Sequence, residues 1–133
     1  MNHNTKVLIV DDDAFLLDMY SIKFKESGFS VEIAKNGEEA LAKAKSLNPD
    51  VILLDIVMPK MDGFDVLREI KKDNIAPSAV IFILTNLGQK EDVDRGLKLG
   101  ANDYIVKAHF TPSEVVAKVN GFLGSRKPAD FHF

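Results

Sequence analysis

Short apolar runs alternate with segments of helical period along the chain. Lys6–Val10, Val51–Leu54 and residues 79–84 are strand-length runs, and Ser30–Ala34 and Asp103–Val106 complete a set of five. Val51–Leu54 and residues 79–84 carry no polar alternation, which predicts strands covered on both faces. Ser30–Ala34 alternates apolar and polar side chains and is expected near an edge of the sheet.

Between these runs the period becomes helical. Residues 14–27 are the first such segment, and Gly28 is a natural stop. Within residues 38–47, Ala40, Leu41, Ala44 and Leu47 fall on one face, and Asn48-Pro49 breaks the pattern. Gly63–Lys72 turns Phe64, Leu67 and Ile70 inward. Residues 90–99 are polar, with Val93 and Leu97 the expected apolar contacts and Gly100 the terminator. Thr111-Pro112-Ser113-Glu114 joins a capping box to proline at the first helical position. It opens a last helix bearing Val115, Val116, Val119, Phe122 and Leu123. Residues 1–124 are expected to form one domain and residues 125–133 a flexible tail.

These elements make five βα units. Right-handed crossovers then give an α/β three-layer sandwich, a five-stranded parallel sheet with helices on both faces. The expected strand order is 2-1-3-4-5, the flavodoxin-like arrangement.

Composition narrows the function. A chain of 133 residues with 46% hydrophobic content builds one ordinary core. The formal net charge of -3 supplies no basic footprint, so direct nucleic-acid binding is not expected. Cysteine is absent, which excludes disulfides and thiolate metal sites and suits a cytoplasmic location. The stretch Met1 to Lys6 lacks an apolar signal core, and no run approaches membrane-spanning length.

The chemistry gathers at the ends of the strands. Asp11 and Asp12 follow the first run, Asp55 the third, Thr85 the fourth and Lys107 the fifth. In a parallel sheet these C-terminal ends form one edge, where open α/β folds bind ligands. Asp13 is read as a helix N-cap, and Asp62-Gly63 as an ordinary helix start. Asp11 and Asp12 exceed what one cap needs, and hard oxygen donors on a short loop suit Mg2+. Asp55, ending an apolar strand, needs a partner. An ion pair with Lys107 would serve, and a carboxylate there can also act as a nucleophile that forms an aspartyl phosphate. Thr85 and Lys107 would then meet the phosphoryl oxygens. Tyr104 is expected to be half-buried. His3, His109 and His132 are isolated and are assigned no chemistry.

The combination Val10-Asp11-Asp12, Leu54-Asp55 with Met58-Pro59-x-Met61-Asp62-Gly63, Leu84-Thr85 and Tyr104-x-x-Lys107 resembles a response-regulator receiver domain of the chemotaxis-regulator type. The resemblance spans about residues 5–124. It implies a switch in two-component signalling, not an enzyme acting on other substrates. Asp55 would accept a phosphoryl group from a sensor histidine kinase or a phosphotransfer protein. Asp12, Asp11, Asp55 and the backbone carbonyl of Val57 would hold Mg2+. Thr85 and Lys107 would contact the phosphoryl group, and Thr85 would draw Tyr104 inward. The surface of the fourth helix, fifth strand and fifth helix would then change for a downstream protein. Val57 and Leu87 would border the path of a hydrolytic water, and being apolar they would not orient it.

Two positions depart from the family. Ala108 follows the lysine where proline is usual, so a trans Lys107–Ala108 bond is expected. Asn86 follows Thr85 where alanine is common. A stand-alone receiver is the leading reading, and a receiver cut from a longer regulator with an output domain, for example a DNA-binding one, is the second. A phosphohydrolase of the haloacid-dehalogenase type would need a second aspartate at position 57, which is valine. A flavodoxin would have to seat a phosphate against Asp11, Asp12 and Asp13, which repel it.

Overall fold

The computed structural model describes residues 5–126, with the side chains of 125 and 126 excepted. Five strands, β1 (Lys6–Val10), β2 (Ser30–Ala34), β3 (Val51–Leu54), β4 (Val80–Thr85) and β5 (Asp103–Val106), alternate with α1 (Ala14–Glu26), α2 (Gly37–Leu47), α3 (Gly63–Lys72), α4 (Lys90–Lys98) and α5 (Pro112–Arg126). All strands are parallel, in the order β2-β1-β3-β4-β5. The expected topology is therefore the observed one. The alternating strand β2 lies at an edge, and β3 and β4, the latter apolar up to its last residue, are interior. Thr85 is the last residue of β4 and not the residue after it.

Strand alternation divides the core in two. Val7 and Ile9, Val51 and Leu53, Val80, Phe82 and Leu84, and Ile105 pack with Leu17, Tyr20 and Phe24 of α1 and Val115, Val116 and Val119 of α5. Leu8 and Val10, Ile52 and Leu54, and Ile81 and Ile83 pack with α2 and α3. Each fully buried Leu, Ile or Phe side chain contributes ~1.5–3 kcal/mol. The same alternation decides what the strand ends present. Asp11, Asp55 and Lys107 each lie two residues beyond a strand residue of the α1/α5 face. Thr85 lies two beyond Ile83, on the opposite face, where Tyr104 also packs.

Local signals fix the loops around this edge. Asp13 caps α1 by accepting from the backbone N–H groups of Phe15 and Leu16. Asp62 and Asp65 form a reciprocal capping box at α3, as Thr111 and Glu114 do at α5. The Gly63 N–H donates to the Ile56 carbonyl at 2.9 Å. A Cβ on Gly63 would sit 2.2 Å from the carbonyl oxygen of Asp55, so only glycine lets α3 start so close to β3.

The structure corrects one helix face and shifts one boundary. Leu97 was expected to anchor α4 but is 44% exposed, and Gly96 is the buried residue of that helix. A Cβ at Gly96 would lie 2.4 Å from Ile83 Cδ1 and 3.2 Å from the Tyr104 ring. The helix therefore seats on its backbone, which turns Leu97 outward. The α5 helix continues to Arg126, past the boundary expected at residue 124, and the rest of the expected tail, residues 127–133, lies outside the described residues. His3 and His132 also lie outside them. Among the described residues every peptide bond is trans, Lys107–Ala108 included, and Lys107–His109 forms a single 3-10 turn.

Two glycines make a contrasting test of this packing. Gly63→Ala should lower unfolding stability by ~1–3 kcal/mol through overpacking. Gly121→Ala should raise it by ~0.5–1 kcal/mol, because Gly121 sits within α5 with nothing within 4 Å of its would-be Cβ. Urea denaturation of the two variants reads both signs.

Candidate functional site

The strand ends bring Asp11, Asp55 and Lys107 into one cluster. The Lys107 ammonium donates to Asp11 Oδ2 at 2.6 Å and to Asp55 Oδ2 at 3.2 Å. The remaining carboxylate oxygens are held by the backbone. Asp11 Oδ1 accepts the Asp13 N–H at 2.9 Å, and Asp55 Oδ1 accepts the Ile56 N–H at 2.7 Å. Both aspartates are buried, at 2% and 5% exposure, whereas Asp12 is exposed at the rim. The expected Asp55–Lys107 pair is thus present, and Asp11 makes its shorter contact with the lysine.

Burial and pairing act oppositely on these groups. Burial raises the carboxyl pKa of Asp11, and the hydrogen bonds from Lys107 and the Asp13 N–H recover only part of that rise. For Lys107, burial works against the charge, but the hydrogen bond to Asp11 and the fields of Asp55 and Asp11 more than offset it, so its pKa is raised. Asp11 is therefore the strained member: an anion kept in a poorly solvated place by one cation.

Asp11, Asp12 and Asp55 each offer a carboxylate oxygen, and these atoms lie within 4.8 Å of one another. Three hard oxygen donors at that spacing, one of them exposed for entry, fit a small divalent cation that retains several waters. A cation there also supplies the positive charge that one lysine shared by two buried carboxylates does not.

On the other face, Thr85 is fully buried. Its hydroxyl oxygen accepts the Leu87 N–H at 3.4 Å, a long bond, and keeps its own proton to donate. Tyr104 is half-buried as expected, and its hydroxyl donates to the Leu87 carbonyl at 2.6 Å. Burial, with the fields of Asp92 and Asp55, pushes its pKa up to about 12. One residue of the β4–α4 loop, Leu87, thus touches Thr85 through its N–H and Tyr104 through its carbonyl. Backbone groups leave no mark in a residue pattern, so the sequence pointed to Leu87 only as an apolar rim residue. Val57 is 59% exposed on the facing loop, and Asn86 is also exposed. His109 is exposed on the 3-10 turn.

Comparisons with known proteins agree with this geometry. The family described as response regulator receiver domain matches residues 7–120. A probable transcriptional regulator, ycf27, of Guillardia theta is 44% identical over 95% of this chain and 48% of its own length. The DNA-binding response regulator MtrA of Mycolicibacterium paratuberculosis is 41% identical over 89% of this chain and 51% of its own. The chain spans about half the length of these relatives. Their names do not support the expectation, drawn from net charge, that nucleic acid plays no part. A crystal structure of a receiver domain protein from Methanospirillum hungatei aligns with a TM-score of 0.85 at 30% identity, covering 94% of this chain and 98% of that one. No helix among the described residues is long and apolar enough to cross a membrane.

The electrostatics predict two results in chelator. Asp12→Asn should raise the metal-free Tm by relieving like-charge repulsion, and it should shrink the further rise that Mg2+ produces. The second concerns pH. Because the folded pKa of Asp11 is raised, its contribution to stability is fully present below its ordinary 3.8 and is lost as pH rises through the folded value. Melts from acid to neutral pH should therefore show a decline in the parent that Asp11→Asn flattens.

Proposed function

Since the chain belongs to the response regulator receiver domain family, we propose that it is a phosphoacceptor switch in which Asp55 is the nucleophile. The observation that carries this reading is the placement of Asp55 between a lysine and two further aspartates at the C-terminal edge of the sheet. A phosphohistidine of a sensor kinase or phosphotransfer protein is the donor. Its P–N bond breaks as the Asp55 Oδ–P bond forms, and the imidazole leaves with the electron pair of the broken bond.

Asp11, Asp12, Asp55 and the Val57 carbonyl would hold Mg2+, which when bound neutralises charge on the phosphoryl oxygens. Lys107 supplies a second positive charge from the α1/α5 side, and Thr85 donates its hydroxyl from the opposite side. Turning that hydroxyl toward a phosphoryl group gives up its weak contact with the Leu87 N–H. The Leu87 carbonyl holds Tyr104, so the loop and the ring move together, and the α4–β5–α5 face presents a new surface to a downstream protein.

The names and lengths of the relatives favour a second, wider reading: the receiver portion of a DNA-binding transcription regulator. The native mass of the protein in its source cell tests it. A mass near that of this chain counts against a longer regulator.

The core claim is read by intact-protein mass after incubation with acetyl phosphate and Mg2+. One phosphoryl group should be gained by the parent and none by Asp55→Asn. A parent that gains none would sink the proposal. The apolar rim makes a further prediction, since positioning supplies much of phosphoryl-transfer catalysis. A Val57→Asn, Leu87→Glu double variant should lose its phosphoryl group faster than the parent once the donor is removed. Equal decay would show that the rim does not set the lifetime.

A further inference from the structure

Lys107 places its ammonium between two carboxylates, yet its backbone begins a loop. The next residue, Ala108, has no ring to fix the backbone as proline would. Of residues 108–111, only Phe110 is partly buried; Ala108, His109 and Thr111 are exposed. Whatever holds this turn in place must act through Phe110.

Phe110 is joined directly to the lysine. Its N–H donates to the Lys107 carbonyl at 3.2 Å, the bond that closes the 3-10 turn. Its ring packs against the apolar layer that α1 and α5 cover. The Lys118 ammonium of α5 stands 4.9 Å from the ring centroid, and the His109 ring lies 6.5 Å away, tilted by 57°. Immediately after it, Thr111 and Glu114 cap α5. That helix is fixed in turn by the buried Val115, Val116 and Val119.

We propose that Phe110 is a positioning residue for Lys107: its ring, seated on the α1/α5 layer beneath the Lys118 ammonium, pins the 3-10 turn and so sets where the lysine stem begins. The stem is flexible, and its ammonium must meet Asp11 and Asp55 together. A turn that drifts lengthens one contact or the other. In a transferring site, misplacement by about 1 Å can cost on the order of a hundredfold in rate. The consequence for catalysis rests on the phosphoacceptor reading, while the anchoring of the turn does not. A purely structural role for Phe110 would give a different result: lost stability with the lysine unchanged. Phe29 serves as the comparison. It belongs to the same layer and pairs with Phe24 at 5.0 Å, but it precedes β2, at the opposite edge of the parallel sheet.

Phe110→Ala and Phe29→Ala each remove a ring from that layer, and both should lower Tm. Only Phe110→Ala should free the lysine. The deciding measurement is solvent exchange of the Lys107 ammonium protons, followed by nitrogen–proton NMR on the full chain in chelator. Exchange should quicken about fivefold or more in Phe110→Ala, as charged hydrogen bonds loosen, and stay within about twofold of the parent in Phe29→Ala. Phe110→Tyr keeps the ring and should restore the parent's exchange. Lys118→Gln, at an exposed position, should leave the fold intact and quicken exchange by roughly two- to fivefold, the range of a surface cation–π contact. Phosphorylation by acetyl phosphate with Mg2+ should slow by about fivefold or more in Phe110→Ala, at an unchanged half-saturating donor concentration. Equal exchange in Phe110→Ala and Phe29→Ala overturns the proposal. If Phe110→Ala does not fold, exchange in Lys118→Gln that matches the parent's overturns it instead. If the parent takes no phosphoryl group but its exchange still responds to Phe110→Ala, the anchoring stands and the phosphoacceptor reading fails.

Discussion

Two buried carboxylates share a single ammonium at the lip of an otherwise apolar sheet, and the arrangement of the whole edge follows from that. Removing one partner from a buried ion group leaves an uncompensated charge, which is far worse than never having built the group. Lys107 is therefore bound to its place by Asp11 and Asp55, and the backbone N–H groups of Asp13 and Ile56 are bound to theirs by the same carboxylates. The β1–α1 loop, the end of β3 and the start of the 3-10 turn after β5 are tied together by charge. Below this lip the two hydrophobic layers only have to bring three strand ends level, which the parallel register does.

The second half of the site works by a different currency. Thr85, Leu87 and Tyr104 carry no charge and are linked by one long and one short hydrogen bond through the backbone N–H and carbonyl of Leu87. Charge on the α1/α5 face thus fixes Asp55, while a neutral chain of hydrogen bonds joins Thr85 to Tyr104 on the other face. Strand alternation makes the separation: residues one apart at a strand end point to opposite layers.

Much of this was legible in the residues. The apolar runs, the capping residues Asp13 and Thr111, and the terminator glycines are local signals, and each appears where its chemistry requires. The convergence of Asp11, Asp12, Asp55, Thr85 and Lys107 was legible because parallel strands must end on one edge. Other features were not. The outward turn of Leu97 depends on how closely α4 approaches Ile83 and Tyr104, a tertiary contact with no periodic signature. That Asp11 is closer than Asp55 to Lys107 is a matter of side-chain reach. The bridging by Leu87 is backbone chemistry, which the residue pattern does not carry.

The seat of α4 on Gly96 has a consequence for how the fold fluctuates. This helix buries one residue, and that residue has no side chain. Its N-cap, Gln89, makes no side-chain hydrogen bond, and its attachment to α3 is Arg95 lying 4.2 Å from the Phe64 ring centroid. Little apolar surface is exposed when such a helix lifts, so its opening is separated from global unfolding and lies low on the ladder of partial openings. Its amides should thus lose protection in native conditions long before those of β3 and β4. The α4 surface is thus built from the part of the molecule that the core holds least.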